Sequence, residues 1–398
     1  AADQLGKKGK VQGEICMEAL ILSCSTGGGH NAAGKAVAQA LESRGHHVTI
    51  LDPYQLASDG LALTIGNMYI KLVQKAPRLF GFVYFLGNMV RRFPGHSPVY
   101  WINGKMTDRM EEYLQQHSFD VIVMPHIFPA EILGHMKNSG ITLPPTIFVA
   151  TDYACIPFTE ETACDYYVIP SPELKEEFCK RGIPEEKIMP LGIPVRDEFF
   201  NEKERDRALK KLHLPSDKRY FLLSGGSIGA GKIASSIRCL RQYLKENRDY
   251  RLVVICGNNL RLYRRLRKKY QSDEQLLILQ STPHIADYMK ACDAFLSKPG
   301  GLSSTEAAVL KIPLIHISPI PGCEKKNAVF FATRGMSVSV AKPGKELLKA
   351  IEGLKDVQAV ERMRENQGRY IHPHACEDIC QLAERLAKES TEGEPVTV

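Results

Sequence analysis

A histidine stands directly after three consecutive glycines near the beginning of the chain, in the stretch Ser25-Thr-Gly-Gly-Gly-His30. A neutral imidazole accepts a proton near pH 7, so a histidine at the end of a glycine loop is a candidate general base. The alternative is that His30 only caps the following helix or lies exposed to solvent. Gly28 and Gly29 of the same loop are predicted to line the cleft beside it.

A second group of chemically active side chains occurs late in the chain, where the stretch Ser297-Lys-Pro-Gly-Gly-Leu-Ser-Ser-Thr-Glu306 follows a strand. Free backbone N–H groups and hydroxyls at the start of a helix can hold a pyrophosphate. Glu306, which we place in the first helical turn, is positioned to accept both hydroxyls of a ribose. Its alternative role is to stabilise the helix dipole. The predicted ligand-binding residues of this stretch are Ser297, Lys298, Pro299, Gly300, Gly301, Ser303 and Glu306.

The glycine-rich loops admit other interpretations. Gly27-x-Gly29-x-x-Ala32 resembles a degenerate dinucleotide fingerprint, with Asp52 about 20 residues further on, where a ribose-binding acid belongs. Two loops also nearly match a Walker A motif, but Ala36 and Ile233 stand where that motif needs Ser or Thr to hold Mg²⁺. Two failures at the metal-binding position argue against a P-loop nucleotidase. The remaining alternative is a tight turn without a ligand.

The elements around these residues form two similar α/β units. Residues 19–24 are predicted to form a strand, 31–43 a helix and 48–51 a second strand, an order that indicates a parallel sheet. Strands at 121–124 and 146–150 end in polar loops, which carry the cleft-lining candidates His126 and Asp152. The pattern restarts with a strand at 220–223, and its loop carries the ligand-binding candidates Gly225 and Gly226. The predicted fold class is therefore α/β, with two Rossmann-like domains.

Length and composition limit the class of protein. A chain of 398 residues with 44% hydrophobic and 24% charged residues is long enough for two globular domains, which excludes a disordered, collagen-like or coiled-coil protein. The 52 Lys and Arg exceed the 45 Asp and Glu, and the net charge of +7 suits contact with phosphate or an anionic membrane surface. The 11 cysteines form no CxxC pair, so we expect free thiols in a reducing compartment.

Membrane contact is predicted to occur at a surface. No stretch reaches the roughly 18 to 20 apolar residues of a membrane span, and the polar N-terminus contains no apolar core of a signal peptide. We expect a disordered segment over residues 1–13 and a cytoplasmic protein associated peripherally with the inner face of the cell membrane.

The segment 61–101 is the predicted membrane contact, because it mixes aromatic and aliphatic residues, including Trp101, with basic ones. The basic residues are Lys71, Lys75, Arg78, Arg91 and Arg92. The alternative is a pair of core helices with solvated basic edges. Two other clusters are assigned no ligand: the basic run 261–269 is expected to be a solvated helix face, and the His and Cys residues at 372–380 do not have zinc spacing.

In combination, these motifs resemble those of the diacylglycerol sugar transferases. These are the monogalactosyldiacylglycerol synthases and the processive diacylglycerol glucosyltransferases of glycosyltransferase family 28, which are relatives of the MurG-type transferases. The resemblance rests on Gly-Gly-Gly-His30 and on the Lys-Pro-Gly-Gly…Glu306…Pro-Gly-x-Glu324…Asn327 run. Thr151-Asp152 and Gly192-Ile-Pro194 also look like that family. The match extends from about residue 20 to about residue 335.

The resemblance implies a GT-B fold, in which two Rossmann-like domains face each other across a cleft. It implies an acceptor domain over residues 14–198, a UDP-sugar-binding domain over 199–363 and a helical segment over 364–398 that crosses back to the first domain. His30 matches the family's proposed base, and Glu306 matches its ribose-binding acid. Glu324 and Asn327 match positions that line the sugar or the phosphates.

The resemblance also implies the chemistry. Such enzymes invert the anomeric centre in a single displacement while a base takes the acceptor's proton. We find no Asp-x-Asp of the kind that holds a metal, so we expect no metal and no other cofactor, and helix N-termini would stabilise the leaving UDP. Many members carry Gln just before the glutamate, where this chain has Cys323, a far poorer hydrogen-bond partner. The sequence therefore leaves glucose and galactose open.

We predict an inverting hexosyltransferase that moves glucose or galactose from a UDP-sugar to diacylglycerol, with an anionic membrane surface as a further partner and no nucleic acid. The close alternative is a MurG-like transfer of N-acetylglucosamine to a polyprenyl-linked acceptor, and the segment 61–101 favours diacylglycerol. An NAD-dependent protein is disfavoured by the second glycine loop. A non-catalytic lipid-binding protein is disfavoured because His30 and Glu306 are both present.

Overall fold

The computed structural model describes residues 16–24, 28–58, 60, 64, 89, 95–200 and 205–392. The predicted disordered segment 1–13 and residues 25–27 of the first glycine loop lie outside these residues, as do the five basic residues of the predicted membrane contact. Within the described part of the chain, no helix has the length and apolar character needed to cross a bilayer. All 11 cysteines are free thiols.

The first domain is built on a six-stranded parallel sheet with the order β2-β1-β3-β4-β5-β6. Its strands are β1 (Glu18–Leu22), β2 (His47–Leu51), β3 (Val121–Met124), β4 (Thr146–Val149), β5 (Tyr166–Val168) and β6 (Ile188–Met189). Its helices are α1 (Gly28–Ser43), α2 (Pro98–Gly104), α3 (Thr107–Gln116), α4 (Ile127–Asn138) and α5 (Lys175–Cys179). Short 3-10 turns lie at Pro53–Leu56, Thr159–Glu161, Pro172–Leu174, Glu185–Lys187 and Asp197–Phe199.

The second domain repeats the plan with a six-stranded parallel sheet in the order β12-β11-β10-β7-β8-β9. Its strands are β7 (Arg219–Ser224), β8 (Tyr250–Ile255), β9 (Leu276–Leu279), β10 (Ala294–Ser297), β11 (Leu314–Ile317) and β12 (Val338–Val340). Helices α6 (Arg205–Lys211), α7 (Ile233–Glu246), α8 (Leu260–Lys269) and α9 (Ile285–Ala291) come first. Helices α10 (Gly301–Val309), α11 (Cys323–Thr333), α12 (Lys345–Gly353), α13 (Val357–Tyr370) and α14 (Ala375–Glu392) follow.

The central strands are short apolar runs because both faces of each sheet are covered. Every residue of β3, β4, β10 and β11 is buried, which is typical of parallel strands that lie between helices. The last helix, α14, packs its apolar side on α1, where Leu382 and Leu386 join Val37 and Leu41 in one buried cluster. The C-terminal end of the chain therefore stabilises the first domain. Two Rossmann-like domains around a common cleft form the GT-B fold, as predicted.

Two helix starts differ from the sequence prediction, and one of them changes the site. Helix α1 begins at Gly28 and not at residue 31, so His30 lies within its first turn. Helix α10 begins at Gly301 and has no acidic residue in its first turn. Glu306 therefore lies in the second turn, and the first-turn placement was wrong. Glycine has no side chain that signals a helix start, which explains both differences. The predicted domain limits stay predictions.

Candidate active site

Each sheet contains one point at which the strand order reverses, and the cleft lies between these two points. In the first sheet, β2 lies on one side of β1 and β3 lies on the other side. In the second sheet, β8 and β10 flank β7 in the same way. Open parallel sheets bind ligands at such switch points. A cavity of about 370 Å³ lies there, with walls from both domains. This volume is within the range of small-molecule sites, roughly 300–1,000 Å³.

His30 is held in one orientation at the first switch point. Its Nδ1 lies 2.8 Å from the carbonyl oxygen of Pro125 and 2.8 Å from the hydroxyl oxygen of Thr151. A carbonyl only accepts hydrogen bonds, so this geometry assigns the proton to Nδ1 and the lone pair to Nε2, which has no hydrogen-bond partner among the described residues. Burial lowers the pKa of His30, although Asp152 opposes the shift, so the ring is neutral at pH 7. A neutral ring with an open Nε2 is the form that a general base requires.

His126 supports the ring of His30 from behind. The two rings meet edge to face, with centroids 4.6 Å apart. The Nδ1 of His126 accepts the N–H of Phe128 at 3.1 Å and thereby caps α4. Burial lowers the pKa of His126 well below its ordinary value, and the neighbouring His30 lowers it further. Two adjacent neutral imidazoles avoid the repulsion that two imidazolium ions would cause.

The second switch point is formed by the glycine loop after β7 and the loop after β10. Gly226 has a φ of +68°, and a Cβ there would lie 2.8 Å from the Cε of Lys298. The positive φ favours glycine, and a side chain there would displace the end of the Lys298 side chain. The N–H of Gly226 donates to the Oγ of Ser224 at 3.1 Å, which closes the turn.

Lys298 forms an ion pair with Glu324 at the edge of the cavity. Burial lowers the pKa of the Lys298 ammonium, but Glu324, followed by Cys323 and Asp152, raises it, and the net shift is upward. The other oxygen of Glu324 accepts the N–H of Ile320 at 3.1 Å. The pair places the positive charge of Lys298 beside the cavity, where Glu324 neutralises it. Among the described residues, Glu324 pairs with no other cation.

Glu306 extends into the same cavity from the second turn of α10. It is 7% exposed, and burial raises its pKa to about 8. Arg196, which enters the cavity from the segment that leaves the first domain, opposes this rise. Nη2 of Arg196 lies 2.8 Å from an oxygen of Glu198. Across the described residues, the carboxyl group of Glu306 has no protein hydrogen-bond partner, which leaves it available to a ligand.

Asn327 joins the two domains behind the cavity. Its Nδ2 donates to Oδ1 of Asp152 at 2.7 Å and to the carbonyl of Pro299 at 3.0 Å. Its Oδ1 accepts the N–H of Tyr153 at 2.7 Å, and the residue is fully buried. The resemblance implied that Asn327 lines the sugar or the phosphates. In the structure its amide is occupied by protein groups and holds Asp152 in place instead.

Other contacts close the cleft directly. The N–H of Gly28 donates to the Oγ of Ser227 at 2.9 Å, and Lys326 pairs with Glu177 at 2.6 Å. Gly301 at the start of α10 approaches the first domain so closely that a Cβ would lie 1.9 Å from the carbonyl oxygen of Thr151. The sequence motifs of the two halves therefore meet in one closed site.

Most of the predicted site residues line this cavity, and a smaller set lies behind its wall. The residues in the wall are Gly28, Gly29, His30, Asp152, Gly226, Lys298, Gly300, Gly301, Ser303, Glu306 and Glu324. The residues behind it are His126, Gly225, Ser297, Pro299 and Asn327. Ser297 is the last residue of β10 and is buried.

Sequence reasoning missed several polar side chains of the cavity, three of which stand in or beside noted motifs. Arg196 follows the noted Gly192-Ile-Pro194 stretch, Ser227 lies inside a noted glycine loop, and Thr151 stands beside Asp152. Their motifs were visible, but no spacing links them to Glu306, Gly28 or His30. Arg196 and Ser227 meet their partners only across the cleft, and Thr151 meets His30 within the first domain although 121 residues separate them. Cys323 lines the cavity as expected from its position, and burial raises the pKa of its thiol well above the ordinary value.

The histidines and cysteines near the C-terminus do not form a ligand set. His372 contacts Asp378 at 2.5 Å, whereas Cys376 donates to the carbonyl of Val195 at 3.2 Å and is buried. No group of three His, Cys, Asp or Glu side chains suited to a metal occurs in the parts of the chain described above.

Known proteins share both the sequence and the fold of this chain. Residues 30–195 match the family model described as monogalactosyldiacylglycerol (MGDG) synthase, and residues 160–384 match the model described as UDP-N-acetylglucosamine 2-epimerase. The processive diacylglycerol beta-glucosyltransferase of Bacillus pumilus is 26% identical over 381 residues, which cover 94% of this chain and 97% of the relative. The enzyme of that name from Staphylococcus carnosus is 29% identical over 266 residues, 66% of this chain and 67% of the relative.

Solved structures of low identity share the fold. MurG of Acinetobacter baumannii superposes with a TM-score of 0.56 at 15% identity, covering 93% of this chain and 99% of that one. The UDP-GlcNAc 2-epimerase of Neisseria meningitidis, bound to UDP-GlcNAc, superposes with a TM-score of 0.60 at 13% identity over 93% and 100% of the two chains. The fold and the site thus define a GT-B protein of the nucleotide-sugar type. The chain belongs to the diacylglycerol glycosyltransferase family, and its residues 160–384 also match the epimerase model.

Proposed function

We propose that this protein transfers a hexosyl group from a UDP-sugar to the hydroxyl group of diacylglycerol with inversion at the anomeric carbon. The observation that carries the proposal is the orientation of His30 in a cavity that it shares with Glu306: Nδ1 is bound to Pro125, and Nε2 has no partner within the described part of the chain. The names of the whole-chain relatives support the same donor and acceptor.

The second domain is proposed to hold the donor. The carboxyl group of Glu306 has no protein partner in the described residues and suits the two hydroxyls of a ribose as a bidentate acceptor. The glycine loop with Gly226 and the first turn of α10 supply N–H groups for the pyrophosphate. Lys298 supplies a positive charge nearby once it exchanges Glu324 for the phosphate.

The proposed reaction is a single displacement. The acceptor oxygen attacks C1 of the sugar on the face opposite to UDP while its proton moves to Nε2 of His30. The bond between C1 and the UDP oxygen breaks, and UDP leaves with the electron pair. Proton transfer to a positioned base contributes typically about 10²- to 10⁴-fold in rate. Lys298 and the helix N-termini stabilise the charge on UDP, so we propose that no metal is needed.

Glucose is the proposed sugar, because the relatives that match most of the chain are named glucosyltransferases. The family model that matches the first half carries the name of a galactolipid synthase, which keeps galactose as the competing donor. Cys323 stands at the edge of the cavity beside Lys298 and Glu324, where it offers only a weak hydrogen bond to a sugar hydroxyl.

We also propose that the basic and aromatic segment 61–101 places the protein on the inner face of the cell membrane, where the lipid acceptor is found. Trp101, whose side chain is 59% exposed, and Ile102, which is 63% exposed, support this proposal at the end of the segment. Changing Arg91 and Arg92 to Glu should reduce binding to anionic vesicles, and unchanged binding would assign the segment to the core.

The test of the function is a product analysis with purified protein, mixed micelles of diacylglycerol and one UDP-sugar at a time. UDP-glucose should give glucosyldiacylglycerol with the β configuration, and UDP-galactose should react more slowly. UDP-N-acetylglucosamine with a polyprenyl-linked acceptor tests the MurG-like alternative. Product from that pair alone, with none from diacylglycerol, would overturn the proposal.

A second candidate function comes from the epimerase model over residues 160–384. Incubation with UDP-N-acetylglucosamine and no acceptor distinguishes it, since a 2-epimerase converts the donor to its C2 epimer without releasing UDP. We expect the donor to remain unchanged, because the proposed base faces the cavity from the acceptor domain.

A further inference from the structure

Helix α8 carries a dense group of positive charges on the outer part of the second domain. Six of its ten residues are basic and exposed, and none is acidic. We call these residues the basic face: Arg261, Arg264, Arg265, Arg267, Lys268 and Lys269. The helix is anchored by Leu262 and Leu266, which are buried, and it packs beside β9, the edge strand of the sheet.

The basic face is not neutralised by the protein. No ion pair involves any of its six side chains within the described ranges, and Arg267 instead bonds the hydroxyl of Tyr263. Elsewhere in the same domain the basic side chains are commonly paired. Arg219 lies 3.3 Å from Asp293, and Arg241 forms an ion pair with Asp273 at 2.9 Å. Asp273 is the first acidic residue after α8.

At the start of α8 this arrangement costs the folded protein stability, whereas the cations of the last turn, Arg267, Lys268 and Lys269, suit the negative end of the helix dipole. Arg261 is at the second position of the helix, where the positive end of the helix dipole disfavours a cation. Arg261 and Arg265, and likewise Arg264 and Lys268, stand four residues apart and repel each other. Stability alone would favour an acid at position 261, so the cations at the start of α8 point to an anionic partner.

A cavity of about 470 Å³ opens between α8 and the first turn of α7. Lys232, Arg261 and Arg265 line it together with the glycines at 229 and 231, and no acidic residue does. Lys232 precedes α7, which has no side-chain cap. Three cations from two elements thus converge on one space that is large enough for a phosphate group.

We propose that the basic face and this cavity form a binding site for the phosphate headgroups of anionic phospholipids, and that α8 lies on the bilayer. Each basic side chain near such a surface adds attraction, and Leu260 at the start of the helix, which is 38% exposed, adds apolar contact. A single-stranded nucleic acid would need exposed aromatic rings for stacking, whereas Tyr270 is buried and Tyr263 is half-buried. The site goes beyond the proposed function, since it lies in the donor domain and shares no lining residue with the catalytic cavity.

The test is co-sedimentation of the full chain with vesicles, which requires no catalysis and therefore stands apart from the proposed function. The test variant is Arg261→Glu/Arg265→Glu. The matched control is Lys345→Glu/Lys349→Glu on α12, which makes the same change of charge on exposed residues at the other end of the sheet. Vesicles are made from phosphatidylcholine alone and from phosphatidylcholine mixed with phosphatidylglycerol.

The test variant should partition at least about thirtyfold more weakly than the control onto the mixed vesicles, with the difference falling as salt rises. Its melting temperature should equal or exceed that of the wild type, because Glu suits the start of α8, so unfolding does not explain the loss. Partitioning within about threefold of the control would overturn the proposal. Equal weakening on vesicles of phosphatidylcholine alone would also overturn it. In a parallel assay with a single-stranded oligonucleotide, the proposal also fails if the test variant loses oligonucleotide binding but keeps vesicle binding. Saturation of the effect by inorganic phosphate alone would assign the cavity to a free phosphate and also overturn it.

Discussion

The two switch points of this molecule have the same topology and opposite chemistry. At the first, buried imidazoles stand together and are neutral, since burial lowers the pKa of both His30 and His126. At the second, Lys298 and Glu324 form an ion pair and Glu306 lies in the same cavity. A parallel sheet supplies only the place at which loops converge. The side chains of the loops determine whether a site at that position can accept a proton or bind a charged group.

A second comparison separates a buried acid that serves a ligand from one that does not. Burial raises the pKa of both Glu306 and Glu131 to about 8. Glu131 is fully enclosed by the first domain and accepts a hydrogen bond from Asn103, whereas Glu306 opens into the cavity. Only the ionisation of Glu306 should therefore change when a nucleotide binds.

The largest expected effect concerns the first switch point. His30→Asn keeps a polar side chain but removes basicity, so kcat should fall by about 10²- to 10⁴-fold while UDP affinity stays the same. Initial rates and UDP titration by calorimetry measure both quantities. His117→Asn, an exposed histidine on the same domain, is the control. Retention of more than about a tenth of the wild-type kcat would move the base to another residue, with Asp152 next.

The next effect concerns the second switch point. Glu306→Gln should weaken UDP by about 1.5 to 3 kcal/mol, the range for a hydrogen bond to a charged group. In the wild type, UDP affinity should rise with pH up to about 8, because the ionised carboxylate is the better acceptor. In the variant it should be flat. Equal affinities and equal pH profiles would remove the ribose assignment.

Glu131→Gln is the matched control for this pH dependence. The folded-state pKa of each acid lies above its ordinary value of 4.5, so the folded protein holds the proton more tightly than the unfolded chain does. Stability therefore falls as pH rises from about 4.5 to about 8, and each glutamine should reduce this fall. Thermal melts across that range measure it. UDP binding should be unaffected in Glu131→Gln, and a loss there would show that the comparison of the two acids is wrong.

A smaller effect concerns the contact between the two regions. Gly301→Ala would place a Cβ 1.9 Å from the carbonyl of Thr151, so the domains must separate. We expect a loss of about 1 to 3 kcal/mol in stability, as for overpacked sites, together with slower turnover. Gly353→Ala, whose Cβ would meet no atom within 4 Å, is the control. An unchanged melting temperature in Gly301→Ala would indicate that the closed contact is not the resting state.

The smallest expected effect is that of metal removal. If Lys298 and the helix N-termini stabilise the leaving UDP, activity should be the same before and after dialysis against EDTA. Recovery of a chelated, inactive enzyme by Mn²⁺ or Mg²⁺ would place a metal at the second switch point and contradict the proposed chemistry.

The sequence by itself determined the repeated strand, glycine loop and helix order, because buried parallel strands require short apolar runs and tight turns require glycine. It also identified His30 and Glu306, whose side-chain types suit their proposed chemistry. Only the tertiary structure decided which residues face the cavity. Asn327 lies behind it and Arg196 enters it, because both positions depend on how the two domains meet. The tautomer of His30 likewise follows from the carbonyl of Pro125, which reaches the ring only through the pairing of β1 with β3. Local sequence patterns do not indicate contacts between residues that are so far apart along the chain.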